Sequence, residues 1–315
     1  MKALEQVDGW RADKVAVGVA LPSEVLATRG ERGRSFRWAS VTKLLTALAS
    51  LVAVEEGAVD LDAPAGPSGS TVRHLLAHAS GLPFEDGPPI ARPGTRRIYS
   101  NPGFEVLAEA VAEGAEMPFA DYLGAAVLRP LGLTAPLEGS PAHGYRGTLD
   151  DLLAFARELL APTLVAPETL VEATSVVFPG LAAELRGSPA ADVHASLEDL
   201  VRFARELLAP TLVSDETLAE ATSVQFPGLA GVLPSIGRYD PLDWGLGFEL
   251  KDEKPGHWTG SRNSPRTFGH FGGAGTFLWA DPDARLALAC LTDRDFGEWA
   301  KVAWPHLSDA VLEEA

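Results

Sequence analysis

The chain has 315 residues, 46% of them hydrophobic, and 24 scattered prolines, so it can fill one large core or two intermingled ones and is not disordered in composition. A net charge of −17 argues against a nucleic-acid or anionic-membrane surface, and no apolar run reaches membrane-spanning length. The single cysteine, Cys290, excludes an intramolecular disulfide and, within the apolar run 286–291, reads as a buried structural thiol.

The first ten residues lack the long apolar core of a secretory signal, so the expected location is the cytoplasm. Residues 15–21 and 24–28 are predicted strands joined by a turn at Pro22-Ser23. Next, Val41, Leu44, Leu45, Leu48, Leu51 and Val52 recur at helical spacing, which predicts a helix over 40–56 stopped by Gly57. That helix is apolar almost all round and therefore buried, yet it carries Lys43, its one charged side chain between Arg37 and Glu55. Residues 60–70 read as loop, 71–78 as a short helix ended by Gly81 and Pro83, and a Pro/Gly loop runs on to Gly94. Residues 98–102 lead into a predicted helix over 104–112, and another over 119–127 breaks at Pro130 and Gly132.

An internal repeat follows. Residues 137–184 and 185–232 align at an offset of 48, with 27 identities in the 35 positions from 148–182 against 196–230. Each copy opens with the same amphipathic helix pattern (Leu149, Leu152, Leu153, Ala156, Leu159 and Leu160, then Leu197, Leu200, Val201, Ala204, Leu207 and Leu208). A second helix is predicted after Pro167 and after Asp215. Two copies are too few for a solenoid, so a tandem duplication within an otherwise complete domain is expected. One docking slot cannot hold both apolar faces. The spare copy is expected to stack outside, cover the site or dock on a second molecule, which would make a homo-oligomer.

Strand patterns return at 244–250, 267–273, 276–280 and 285–292, and a helix over 297–313 closes the chain. Strands at both ends with helices between predict an α+β fold: one antiparallel sheet built from the two chain ends, flanked by helices, with a helical region inserted. The expected division is a sheet domain of 1–66 plus 234–315 and a helical domain of 67–233.

An ammonium group in an apolar helix is costly to desolvate unless something local uses it. Ser40 precedes Lys43 by one turn on the same face. It is either a helix cap or a hydroxyl activated by the amine. His74 and His78 have the i,i+4 spacing of metal ligands, but Leu75 and Leu76 fill the gap where a glutamate would stand, so no metal is expected and His78 reads as structural. The chain has no Gly-x-Ser-x-Gly, which removes the α/β-hydrolase route to an ester-cleaving serine.

Ser40-Val41-Thr42-Lys43, Tyr99-Ser100-Asn101 and His270-Phe271-Gly272 stand in that order along the chain. Together they resemble the three motifs of the serine β-lactamase and penicillin-binding-protein family. The likeness is to the branch of class C β-lactamases, D-alanyl-D-alanine carboxypeptidases and related esterases, and it covers about residues 12 to 295 apart from one copy of the repeat. The segment 75–82 is similar to a His-x-Ser-Gly-Leu stretch of the same branch. The resemblance implies Ser40 as nucleophile, Lys43 and Tyr99 sharing its proton, and the N–H groups of Ser40 and Gly273 as oxyanion donors. It further implies Asn101 orienting Lys43 and the substrate's acyl side, with His270 at the mouth binding a carboxylate or joining the Tyr99 network, and Gly272 closing the third motif. A cation beside a phenol is expected to lower the phenol's pKa, and burial to lower that of the lysine. No cofactor is implied. The substrate class is a small-molecule ester, amide or β-lactam. The third motif has His in place of the Lys of β-lactamases, so β-lactam or D-Ala-D-Ala carboxypeptidase turnover is expected to be weak at most. The alternative is a non-turnover acyl-binding or sensor module of the same fold.

Overall fold

A computed structural model describes residues 1–21, 24–133 and 212–315, together with 135–137, 139–143, 145–147, 193–195, 201, 203, 204, 207 and 208. Alternating apolar residues at the two chain ends meet in one sheet. From the N-terminal end come β1 (Val15–Ala20) and β2 (Val25–Gly30). From the C-terminal end come β9 (Glu249–Leu250), β10 (Phe268–Gly272), β11 (Thr276–Asp281) and β12 (Leu286–Thr292). The order is β2-β1-β12-β11-β10-β9 with every neighbour antiparallel. The expected sheet from both chain ends is therefore present.

Apart from the edge strand β2, the sheet is buried on both faces because its side chains alternate between two cores. Val17, Cys290 and Phe277 lie in register and face an outer layer made by the N-terminal 3-10 helix (Lys2–Gly9) and α6 (Glu298–Glu314). Ala16, Ala289 and Leu278 face the helical region. Burial of Cys290 pushes its thiol up, as a structural cysteine requires.

The helical side is organised around α1 (Thr42–Glu55), which buries 12 of its 14 residues. Packed with it are α2 (Val72–Leu76), α3 (Asn101–Gly114) and α4 (Phe119–Leu123), the last running on into a π-helical turn over Gly124–Leu128. The predicted helix over 104–112 begins earlier, at Asn101, because the Ser100 hydroxyl caps it by accepting the Gly103 N–H at 3.0 Å. The predicted strand over 244–250 shrinks to β9. Gly245 N–H donates to Phe248 O at 2.8 Å, so the segment folds into a tight turn. At Gly247 (φ +87°) a Cβ would lie 2.2 Å from Ala47 Cβ, so the turn lets α1 sit directly on this loop.

Very short strands escaped the sequence patterns: β3 (Phe36–Arg37), β4 (Arg97–Ile98), β5 (Tyr145–Gly147), β6 (Val193–Ala195), β7 (Gly231–Leu233) and β8 (Gly237–Tyr239). Strands β4, β7 and β8 form a small second sheet. Strands β5 and β6, 48 residues apart, both pair with β3 in one register: Phe36 opposes Gly147 and Ala195, and Arg37 opposes Arg146 and His194. Of the second copy, Val201, Phe203, Ala204, Leu207 and Val213 are buried in the main core, and α5 (Asp215–Ala221) adds Leu218 and Ala221. The predicted helices over 149–160 and after Pro167 lie outside the described residues, as does the Pro22-Ser23 turn.

Candidate active site

The short strand β3 delivers the chain to Trp38, whose carbonyl accepts a hydrogen bond from Thr276 Oγ1 at 2.9 Å. Ala39 then takes a left-handed conformation (φ +46°), costly for a residue with a Cβ. A 3-10 turn over Ala39–Val41 feeds directly into α1. Strand β10 clamps this bend from the other side: a Cβ at Gly272 would fall 2.5 Å from Trp38 O. Gly272 thus makes room for the bend rather than lining a cavity. Neither the turn nor α1 has a side-chain cap, so Ser40 is not a capping residue. Its side chain lines a cleft together with Tyr99 and acts on that phenol.

Tyr99 lies between β4 and the cap of α3, and Asn101 is the first residue of that helix. The three-residue motif is therefore a strand end, a cap and a helix start, which aims Tyr99 and Asn101 at α1 together. Asn101 Oδ1 accepts from Lys43 Nζ at 2.8 Å, and the Ala142 carbonyl lies 3.5 Å from the same nitrogen. The ammonium sits 5.0 Å from the centre of the Tyr99 ring. Lys43 has no solvent exposure, and burial pushes its pKa down from 10.5 to about 7, with Glu105 pulling the other way. At neutral pH a large share of this amine is unprotonated.

Two electrostatic expectations are corrected. Tyr99 is pushed up rather than down: burial dominates, with a hydrogen bond from Ser40 in opposition. A half-neutral lysine offers too little field to ionise a desolvated phenol, so Tyr99 keeps its proton. His270 is not at the mouth. It is 2% exposed, in register with Leu278, and burial followed by the Lys43 charge pushes it down to about 4. Its Nδ1 lies 2.6 Å from Phe271 O and its Nε2 3.2 Å from Tyr99 Oη. With Nδ1–H assigned to the carbonyl, Nε2 accepts the phenolic proton. The Tyr99 hydroxyl, on which Ser40 also acts, is thus tied to a neutral His270.

His78 supports this pair from behind. Its Nδ1 accepts the Ser100 N–H at 3.1 Å and its ring packs 4.5 Å from that of Tyr99. His74 turns elsewhere, to Thr71 and the Phe226 ring.

Ser40, Tyr99, Asn101, His270 and Gly273 line one cleft of about 380 Å³. The other walls are mostly apolar, from Phe84, Leu233, Pro234, Phe271, Ala274 and Phe296, with Arg37 and Asp295 as the charged contributors. Phe271 sits inside the third motif, but the other wall residues had no motif to announce them, because they come from segments distant in sequence. Gly273 is exposed to the cleft and its carbonyl accepts the Phe296 N–H at 2.9 Å. Among the described residues no helix is long and apolar enough to cross a membrane.

Known proteins carry the same architecture. A solved β-lactamase structure from Mycobacterium bovis is 47% identical, with 99% of this chain and 98% of that one covered and a TM-score of 0.82. EstCE1, described as a hydrolase with promiscuous acyltransferase activity, is 19% identical over 98% of this chain and 96% of its own, with a TM-score of 0.70, a likeness of fold. A penicillin-binding protein of Bacillus subtilis (strain 168) is 26% identical over 176 residues. That match covers 45% of this chain and spans only 39% of the relative's length. The model of the family described as Beta-lactamase matches residues 31–312, a span that holds the strained bend at Ser40, the Tyr99 cap and β10 alike, and the chain belongs to that family.

Proposed function

We propose that this protein is a serine hydrolase working through an acyl-enzyme on Ser40, with esters or small amides as substrates. The observation that carries this reading is that Ser40, Tyr99 and Asn101 line one cleft, with Asn101 holding the fully buried Lys43 amine 5.0 Å from the centre of the Tyr99 ring. Ser40 Oγ attacks the acyl carbon and its proton leaves toward Lys43, directly or by way of the Tyr99 hydroxyl. Lys43 is the base, since its amine is available near neutral pH while Tyr99 is held protonated. The oxyanion is received by the N–H groups of Ser40, in the first turn of a helix, and of Gly273. The proton returns to the leaving group, and water, deprotonated by the same amine, releases the acid and frees Ser40.

The third motif favours neutral substrates. His270 is buried and uncharged, with both ring nitrogens committed, so it gives no cation to a substrate carboxylate. Turnover of β-lactams or of a D-Ala-D-Ala terminus is therefore weak beside that of simple esters. The test is a fluorophosphonate probe with peptide mass spectrometry, run beside p-nitrophenyl esters and a chromogenic cephalosporin. An adduct on the Ser40 peptide with steady ester turnover is expected. An unlabelled Ser40 overturns the reading. One stoichiometric burst without turnover would assign the protein to acyl binding instead.

A further inference from the structure

Asn101 and Glu105 stand four residues apart on α3, so they share the face turned toward α1. Asn101 takes Lys43 directly. Glu105 reaches the same amine by another path. Its Oε1 accepts from Ser140 Oγ at 2.8 Å, and Ser140 Oγ in turn accepts the Ala142 N–H at 3.3 Å. The Ala142 carbonyl is the second acceptor of Lys43 Nζ, and Thr46, three residues past Lys43 on α1, bonds the Pro141 carbonyl between them. The 140–142 segment is thus pinned at three points, two of them on α1 and one on Glu105.

We propose that Glu105 is a positioning residue for Lys43: through Ser140 it fixes the carbonyl that receives the amine, and its carboxyl sets the charge that amine carries. This rests on the reading of Lys43 as the base. The electrostatics agree with the geometry. Half-buried Glu105 is pushed up to about 8 by desolvation, with Lys43 pulling it down and Glu109 and Asp86 adding to the rise. Lys43 at about 7 feels Glu105 as the charge opposing its desolvation. Near neutral pH the carboxyl and the amine therefore share one proton. The other titratable groups around Lys43 among the described residues are Tyr99 and three histidines, His78, His143 and His270, the histidines each pushed down first by burial and then by the Lys43 charge. Among the described groups acting on Lys43, Glu105 is the acid, and it pulls the amine up to the extent that it is ionised.

Three variants separate the two roles. Glu105→Gln keeps an acceptor for Ser140 but removes the charge, so Lys43 loses its upward pull. The acid limb of kcat/KM for an ester should move about one unit to lower pH, with the plateau kept. Ser140→Ala keeps the charge but cuts the link, and kcat should fall about tenfold with the acid limb in place. Glu105→Ala should show both effects, and thermal melting of Glu105→Gln checks that the fold is intact. The direct readout is NMR of ¹³C-labelled lysine, with the Lys43 signal assigned by its loss in Lys43→Met. Its titration midpoint must fall in Glu105→Gln, a change that a purely structural role would not produce. An unmoved midpoint in Glu105→Gln, or wild-type kcat in Ser140→Ala, overturns the proposal. If Ser40 resists the probe while the midpoint still moves, the acyl-enzyme reading fails and the link between Glu105 and Lys43 stands.

Discussion

Two buried polar clusters lie next to each other across β9 and β10, and both are built from a lysine, a histidine and aromatic rings. In the first, Glu249 is fully enclosed and receives Trp258 Nε1 at 2.8 Å, His257 Nε2 at 3.1 Å and Lys254 Nζ at 3.4 Å. Lys254 also donates to the carbonyls of Asp243 and Leu250, and His257 Nδ1 is matched to Thr259. Burial alone would raise Glu249, but these donors bring it down to about 2. In the second, the hydrogen-bond partners of Lys43 among the described residues are neutral oxygens, its carboxyl neighbour Glu105 shares a proton with it, and the cluster opens on the cleft. The difference teaches what a buried cation is for. Paired and saturated, it holds structure; short of a full counter-charge beside a cavity, it has the character a base requires, which is the role proposed for Lys43.

The largest effect expected is on chemistry. Ser40→Ala or Lys43→Met should lower kcat/KM for an ester by about 10³-fold or more, measured on protein whose melting curve is unchanged or raised. A raised melting temperature is reasonable for Lys43→Met, because an apolar side chain replaces a desolvated amine. Glu249→Ala is the mirror experiment. It leaves Lys254 buried without its anion and should cost about 3–5 kcal/mol in denaturant unfolding, while activity per folded molecule is kept. If Glu249→Ala lost activity but not stability, the division between the clusters would be wrong.

Tyr99→Phe should come next, with a fall of about 10²-fold in kcat, since the hydroxyl between Ser40 and His270 is removed while the ring packing stays. The two clusters also separate on a pH axis. Lys43 must be unprotonated to act, so activity should rise through about pH 7 and level off above it. Glu249 has a folded pKa of about 2 against an ordinary 4.5. Its contribution to stability is therefore complete above about 4.5 and is lost as pH falls toward 2. Acid unfolding and the activity limb should lie in different pH ranges.

The smallest effect should follow deletion of 137–184. The deletion brings Ser188-Pro189-Ala190 to the place of Ser140-Pro141-Ala142, and β6 into the register of β5 against β3. The described core residues of the second copy remain. The shortened protein should fold and keep or gain activity, measured by melting and ester turnover. Loss of all soluble protein would show that both copies have become part of the core.

Much of this was written locally in the chain. The period-2 runs at both ends gave the sheet, the apolar run after Ser40 gave the central helix, and the three motifs named Ser40, Lys43, Tyr99, Asn101 and His270. The two-residue strands lie beyond reach, since a period cannot be read from two residues, and Gly247 reads as a strand residue because only Ala47 reveals its turn. Local sequence holds what repeats along the backbone: periodicity, caps and spacing. Charge states belong to the fold. Whether Lys43 is a base, Tyr99 a phenol and His270 neutral depends on desolvation and on partners up to 171 residues away, such as His270 for Tyr99. Glu105 was equally visible as a letter four places after Asn101. Only the packing of α3 on α1, and the arrival of 140–142 between them, turned that spacing into a contact.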